Sequence, residues 1–529
     1  MGACVNEHRL KSCFEALSSE LSTSLSVHTF ARDRLVQRMR KRAGFVNSQL
    51  DPIAKAKFVE LNNGLKGFRH SLDSDVVSNA RHFITTVIER QNTRFNELNI
   101  QVSLDLTYVL SNWRFGPGSA NGVVGSHAAA RKIGESMTCT LECEPYILRL
   151  RRSNYYFSTI DRRDNCGTTV IYGSRMTTVP KNEDTVRTIA IEPSGNMAMQ
   201  LAAGRVLEDT LRSIGLDISD QQPKNKLLAQ RGSIDGTVCT IDLKSASDMI
   251  SLDLVRSLMP DDWVSLLNKI RSPVIDIDGN KHELNMVSTM GNGFTFPLMT
   301  LIIVSLIYAL RCRKANSPTL WVDWTDTAVF GDDIIVPTDE YSDLCILLEQ
   351  SGLIVNHDKS FAVGDFRESC GGDFWKGVDV TPFYIRNLRT DPEIYVAMNS
   401  LLEWSARHDF WPNQTLKLLR SYLRGPLLLV PEWLNPDQGL KTVMVPKSYK
   451  RYELVAKETI YDGFFLLPLA CAGYLTGRAT HAVFCERESR PFYKVRSARL
   501  PRGYLDGRDP LSRSHRVSER IWFLTIFLN

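Results

Sequence analysis

The stretch that most constrains this chain is Val329-Phe330-Gly331-Asp332-Asp333-Ile334-Ile335-Val336. Apolar β-formers flank a glycine and two acids, which reads as a strand, a tight turn and a second strand. The turn sets two carboxylates side by side at a hairpin tip. They repel one another, and one takes up a proton unless a cation neutralises the pair. All the donors are hard oxygens, so the expected cation is magnesium or manganese, not zinc. A chance Gly-Asp-Asp occurs in roughly one chain in ten of this length, so the tripeptide needs partners elsewhere.

Val179-Pro180-Lys181-Asn182 and Thr185-Val186-Arg187-Thr188-Ile189-Ala190 form two short extended pieces joined by a polar turn. Lys181 and Arg187 then sit on a basic hairpin, either lying over a triphosphate or merely exposed. Gly236 to Leu243 reads as an apolar strand running into Asp242, an acid well placed to reach a metal. After it, Lys244 to Asp248 turn into a helix through Leu254, Val255 and Leu258, with Asp248 near the helix start. Ser288-Thr289-Met290-Gly291-Asn292-Gly293 is a flexible loop leading into an apolar helix. Beyond the paired acids, Leu344, Leu347 and Leu348 mark a helix ending at Gly352, and a strand then leads to Asn356-His357-Asp358-Lys359. Asp242 lies ninety positions before Asp332. Any joint site is therefore assembled by tertiary structure.

Composition narrows the classes. At 529 residues the chain is too long for one core, and 43% apolar with 23% charged is ordinary for a soluble globular protein. The formal charge of +5 excludes a histone-like polycation. Glu486 to Arg520 alone carries ten Lys/Arg against five Asp/Glu, and Arg32, Arg34, Arg38, Arg40, Lys41 and Arg42 form a second basic cluster. Each either tracks phosphates or is a solvated segment. The eleven cysteines have no zinc spacing and fit reduced thiols in a cytosolic protein. The N-terminus lacks the features of a secretory signal or a myristoylation site. Phe294 to Leu310 is uncharged over 17 residues but contains Pro297, Thr295, Thr300 and Ser305, so a buried helix is expected and no membrane span.

A basic hairpin, an acid after a strand, a glycine-bounded loop on a helix, a paired-acid hairpin and a lysine after a strand follow the order of polymerase palm motifs F, A, B, C and D. Thr178-Val179-Pro180-Lys181-Asn182, Thr240-Ile241-Asp242-Leu243, Ser245-Ala246-Ser247-Asp248, Ser288 to Phe296 and Gly331-Asp332-Asp333-Ile334-Ile335 carry a closer likeness. So do Phe366-Arg367-Glu368-Ser369-Cys370-Gly371 and Gly377 to Ile385. From about Gly116 to Arg386 the chain resembles the replicase subunit of the positive-strand RNA bacteriophages, the leviviruses. Two departures stand out. Relatives carry acids where this chain has Pro297-Leu298-Met299-Thr300, and a small residue where it has Lys244.

The resemblance implies an α+β right-hand polymerase: fingers over 1–235, including the basic hairpin, and a palm with an antiparallel sheet over 236–386. A finger insertion is expected near 260–287, and a mostly helical thumb and C-terminal region over 387–529. It implies RNA-directed RNA synthesis on an RNA template and nascent strand from ribonucleoside triphosphates. Asp242, Asp332 and Asp333, with the Leu243 carbonyl, would hold two Mg²⁺ ions, with Mn²⁺ a possible substitute. Lys359 would give a proton to pyrophosphate. Lys181 and Arg187 would balance triphosphate charge, and Asp248, Ser288, Gly291 and Asn292 would bind the nucleotide, Asp248 and Asn292 at the ribose 2′-hydroxyl. Relatives work in the cytoplasm of the bacterial host with elongation factors Tu and Ts and a small-subunit ribosomal protein. The rival readings are a reverse transcriptase and a non-catalytic RNA-binding protein. No aromatic residue follows Asp242 where a reverse transcriptase is expected to carry a steric gate, and intact acids argue against the binder.

Overall fold

The computed structural model describes residues 2–24, 28–40, 50–93, 102–116, 118–123, 132, 136–153, 167–181, 185–317, 322–431, 435–442, 481–483 and 493–495. Tyr155 to Phe157, whose sequence reads as core or else an aromatic patch, Phe464 to Leu467, whose sequence reads as a buried helix, and almost all of the basic segment 486–520 lie outside them. Two compact units emerge: residues 47–381, and residues 1–46 together with 382–529. The fingers–palm boundary expected near 235 falls inside the larger unit.

In the larger unit the strands run β1 (Met137–Cys139), β2 (Thr168–Val170), β3 (Ser174–Pro180), β4 (Val186–Ile191), β5 (Val238–Ile241), β6 (Leu243–Lys244), β7 (Val274–Ile277), β8 (Asn280–Glu283), β9 (Ala328–Phe330), β10 (Asp333–Pro337), β11 (Ile354–Val355), β12 (Phe366–Ser369), β13 (Gly372–Trp375) and β14 (Val378–Asp379). The sheet that matters most is antiparallel, in the order β5-β10-β9. Every residue of β5 is buried, as are Ile334, Ile335 and Val336 of β10. A strand without polar alternation is one covered on both faces. β3 and β4 form the basic hairpin, and β7 and β8 extend it into a four-stranded sheet ordered β4-β3-β7-β8. Within 260–287, β7 and β8 thus join the sheet of the basic hairpin, while Asp261–Ile270 is a helix.

One helix ties these parts together. Thr295–Lys314 has no charge until Arg311 and is buried along almost its whole length, packed against the helices Ser74–Thr93 and Ser194–Ser213. Among the described residues it is the single helix long and apolar enough to cross a membrane, and 89% of its most apolar window is buried inside the protein. Pro297 occupies its third position, within the first turn, where backbone N–H groups have no intrahelical acceptor. Proline is harmless there.

One expectation needs correction. Asp248 does not open the following helix. It closes a separate 3₁₀ turn, Ala246–Asp248, and the α-helix starts at Leu252. Ser251 takes the N-cap, its hydroxyl accepting from Leu254 N at 3.1 Å, and Asp253 is the first-turn acid.

The smaller unit is mostly helical where described, with helices Gly2–Thr23, Thr29–Arg40, Asp391–Arg407 and Asn413–Ser421. Pro412 gives the last of these no side-chain cap. Glu20 supplies one from across the unit, accepting from Gln414 N at 2.6 Å and Thr415 N at 2.9 Å. Asn6 accepts from Leu388 N at 2.7 Å, which pins the first helix to the segment entering Asp391–Arg407.

The paired-acid hairpin is held from below by the apolar helix. Phe296 packs edge-on against Phe330 with centroids 4.6 Å apart, and Thr300 Oγ1 accepts from Gly331 N at 3.1 Å. Gly331 has φ +63°, and a Cβ there would lie 2.3 Å from the Phe296 ring. Gly331→Ala is expected to destabilise the chain by about 1–3 kcal/mol, from left-handed backbone strain plus ring displacement. Denaturant melts would show part of that loss recovered in a Phe296→Leu background.

Candidate active site

The register of β5 and β10 decides the geometry. Ile334 pairs with Ile241 and Ile335 with Thr240, so continuing the ladder sets Asp333 opposite Asp242. Asp333 also pairs with Phe330 across the two-residue turn Gly331-Asp332, a tight hairpin loop with positive φ only at its first position. Asp332 thus sits at the tip, beside both other acids. Asp332 favours the protonated form of Asp242, and both act on Asp333 in the same sense.

The turn that carries Lys359 also holds Asp242, through residues to which sequence reading gave no role. Asn356 Nδ2 donates to Asp242 Oδ2 at 2.6 Å, and Asn356 N donates to Asp242 O at 2.8 Å. Asp242 N donates to Ser360 Oγ at 3.1 Å, and Ser360 Oγ donates to Asn356 O at 2.9 Å. The antiparallel pair β6–β11, Leu243 opposite Val355, brings this turn alongside. Lys359 lies in it, exposed, and its charge favours ionised Asp242. The one available signal was an Asn placed after a strand, the residue type that bonds local backbone in turns.

Electrostatics mark the acids as a strained group. Burial pushes the Asp242 carboxyl above its ordinary range, opposed by Asn356 and Lys359 and reinforced by Asp332 and Glu368. Burial pushes Asp333 up to about 6, opposed by hydrogen bonding to Cys370 and reinforced by Asp332 and Asp242. Lys181 follows the end of β3, its N donating to Thr185 O at 2.9 Å. Its side chain is solvent-exposed, yet the protein mass around its ammonium lowers its pKa. Arg187 and Lys359 lower it further, while Asp242 and Asp332 pull the other way. The basic hairpin, the lysine turn and two of the acids therefore share one electrostatic field.

The acids do not form a finished cage. Among the described residues no group of three or more His, Cys, Asp or Glu side chains is gathered to hold a metal ion. The donor chemistry still fits a hard divalent cation: carboxylates crowded together and pushed toward protonation, with cations held on the rim.

The residues read as nucleotide-binding form a second cluster. Asp248 is buried, and its Oδ1 accepts from Met290 N at 3.1 Å. Ser288, also buried, donates to Ser247 O at 3.4 Å. Asn292 Oδ1 accepts from Thr289 N and Oγ1, both at 2.7 Å. Gly291 has φ +128°, and a Cβ there would lie 2.1 Å from Ala190 O. Ala190 N in turn donates to Met290 O at 2.8 Å, so the loop lies directly against β4. Asp248 and Asn292 bond loop atoms and not each other. Lys244 is half-exposed and lies 3.9 Å from Asp358.

The sequence model described as RNA replicase, beta-chain, matches residues 18–461. The chain belongs to that family. It is 41% identical over 304 residues to the RNA-directed RNA polymerase subunit beta of Enterobacteria phage SP, covering 55% of this chain and 51% of that protein. To the subunit of the same name from Escherichia virus Qbeta it is 38% identical over 306 residues, covering 58% and 49%. The chain thus spans about half the length of the relatives it matches. A solved structure titled "RdRp complex" is similar at TM-score 0.40 and 10% identity over 67% of this chain and 33% of its own, which is too little to argue from.

Asp248 gives this replicase-family chain a defined pH response. Burial raises its carboxyl to about 6, against hydrogen bonds from Met290 and Ser247 and the charge of Lys57. An acid with a raised folded pKa loses stability as pH climbs from its unfolded value near 4 to about 6, and stays at the lower level above that. Asp248→Asn keeps the acceptor for Met290 N and removes the buried charge. Thermal melts from pH 4 to 8 should show the variant gaining on the native chain through that window, reaching up to about 3 kcal/mol above pH 6.

Proposed function

We propose that this chain is an RNA-dependent RNA polymerase, the catalytic subunit that copies a single-stranded RNA bacteriophage genome. The observation that carries the reading is the β5–β10 register, which sets Asp242 opposite the Gly331-Asp332-Asp333 turn within one field shared with Lys181 and Lys359. In the reaction a 3′-hydroxyl attacks the α-phosphate of a ribonucleoside triphosphate. A new P–O bond forms to the nascent strand, the bond to the leaving β-phosphate oxygen breaks, and pyrophosphate departs.

Asp242, Asp332 and Asp333, with the Leu243 carbonyl, would hold two Mg²⁺ ions, or Mn²⁺ in their place. When bound, such ions activate the hydroxyl and neutralise the leaving pyrophosphate. Asn356 orients Asp242, leaving its second carboxylate oxygen unclaimed by that bond. Lys181 and Arg187 set positive charge over the triphosphate from the basic hairpin. Lys359, exposed on its turn, donates a proton to pyrophosphate. Asp248, Ser288, Gly291 and Asn292 form the nucleotide pocket, with Asp248 and Asn292 reading the ribose 2′-hydroxyl. Because both now bond loop atoms, nucleotide entry exchanges a protein hydrogen bond for one to the sugar.

The architecture that suits this chemistry is a right hand: fingers 1–235, palm 236–386 with its antiparallel sheet, and thumb with C-terminal region 387–529. The antiparallel β5-β10-β9 sheet and the joining of β7–β8 to the basic hairpin support it. Its relatives are named as beta subunits. We therefore expect larger assemblies in the cytoplasm of the bacterial host, with elongation factors Tu and Ts and a small-subunit ribosomal protein as companions.

Full-length chain isolated from a bacterium with its bound proteins should extend a primed RNA template with rNTPs far better than with dNTPs. Asp332→Asn should reduce incorporation by about 10²–10³-fold or more while leaving the melting temperature within a few degrees. Near-normal synthesis by that variant, or a preference for dNTPs, would overturn the reading.

A further inference from the structure

The strongest unassigned feature is a buried carboxylate outside the acid cluster. Glu192 follows β4, is fully buried, and precedes the helix Ser194–Ser213. Its Oε2 accepts from Ser272 Oγ at 2.7 Å and from Gln200 Nε2 at 2.9 Å. The carboxamide of Gln200 also reaches the loop: its Oε1 accepts from Gly293 N at 3.2 Å. Here the loop and helix meet backbone to backbone. A Cβ on Gly204 would lie 2.5 Å from Gly293 O, and one on Gly293 would lie 2.7 Å from Leu201 N. Gln200 is thus a relay between Glu192 and the last residue of the Ser288–Gly293 loop.

Burying a carboxylate is costly, and this one is pushed up to about 7 even though Ser272, Gln200, Arg271 and Asn292 all favour its ionised form. Asn292 belongs to the same loop, so Glu192 bears on two adjacent loop residues, on Asn292 electrostatically and on Gly293 by hydrogen bonds through Gln200. Ala190, two positions before Glu192, also holds the loop, its N donating to Met290 O at 2.8 Å. A carboxylate that served only to fill the core would not need a side-chain amide eight positions along the chain to carry its hydrogen bonding on to the 288–293 loop.

We infer that Glu192 is a positioning residue for nucleotide selection: through Gln200 it fixes the Asn292–Gly293 end of the loop and so sets how the ribose is read. This rests on the nucleotide-pocket role proposed above for that loop. Ser272 shares the carboxylate but touches no loop residue, so it separates a structural role from a positioning one.

Full-length Glu192→Ala, Glu192→Gln, Gln200→Ala and Ser272→Ala chains, each isolated with its bound bacterial proteins, would be compared with each rNTP and the matching dNTP on a primed RNA template. Glu192→Ala and Gln200→Ala should raise KM for rNTPs and cut discrimination against dNTPs by about tenfold, with kcat changed much less. Glu192→Gln, which keeps an oxygen for Gln200, should restore discrimination to within about threefold of native. Ser272→Ala should leave it native. Hydrogen exchange read by mass spectrometry should show protection across 288–293 falling in Glu192→Ala and Gln200→Ala only. Native discrimination in folded Glu192→Ala and Gln200→Ala, or equal losses in Ser272→Ala, would overturn the inference. A native chain that makes no RNA sinks the polymerase reading instead, and unchanged exchange at 288–293 would still reject the link.

Discussion

Everything at the candidate site depends on the antiparallel pairing of β5 with β10. Side chains alternate along a strand, so a slip of one residue would carry Asp242 from Asp333 to Asp332 and set each buried side chain against the wrong packed face. Several contacts lock the register. Ile334, Ile335 and Val336 fill the core on one strand, while Val238 to Ile241 fill it on the other. At the far end Thr338 donates to Thr237 O at 3.0 Å and, by its hydroxyl, to Gly236 O at 2.7 Å. The remaining edge of β5 is closed by Phe361, which exchanges backbone bonds with Thr240 at 2.7 and 3.1 Å. Below them the Arg367 guanidinium, fully buried, donates to the carbonyls of Val238, Ala362, Gly364 and Phe366 and so staples that edge to the segment after the lysine turn.

The parts of this arrangement that were legible in the sequence are those written in local patterning. The paired-acid hairpin was readable because glycine between β-formers admits few alternatives. The buried helix after Gly293 was readable because its uncharged run holds a proline and hydroxyls that suit a protein interior better than a bilayer. The basic hairpin appears with Val179 opposite Arg187, as two short extended pieces joined by a polar turn imply. Local pattern failed where two residues offered the same signal. Asp248 and Ser251 are both N-cap types three positions apart, and only packing decided that Ser251 starts the helix while Asp248 turns inward to Met290. Asn356, Ser360, Glu192 and Gln200 carried no signal strong enough to single out. Each is a polar residue at a turn, beside a helix start or, for Gln200, within a helix, a common placement, and each acquires meaning from a partner dozens of residues distant.

The helix Thr295–Lys314 gives these separate pieces a common foundation. Its first turn carries Phe296 and its second carries Thr300, which grip Phe330 and Gly331 of the acid hairpin. Its N-terminal approach is the Ser288–Gly293 loop, and Thr295 Oγ1 donates back to Thr289 O at 2.9 Å. One rigid element thus bears on the acids at one end and on the loop that feeds into it. Its long buried surface, packed against two other helices, resists the tilt that would let either drift alone.

That common foundation explains why the loop can be the adjustable part. The acids are held by a sheet, a turn and a helix at once, with Asp242 tied on both backbone and side chain to the Asn356 turn. The loop is held by a few scattered hydrogen bonds: Met290 to Asp248 and to Ala190, Gly293 to Gln200, and Asn292 to Thr289 within the loop itself. Single bonds worth about 1 kcal/mol apiece can be exchanged for bonds to a ligand, whereas a register locked by a buried sheet cannot. Under the nucleotide-pocket role proposed for the loop, a group such as Glu192 would gain influence there and not at the acids, because a small shift in one loop contact would change which sugar hydroxyl finds a partner.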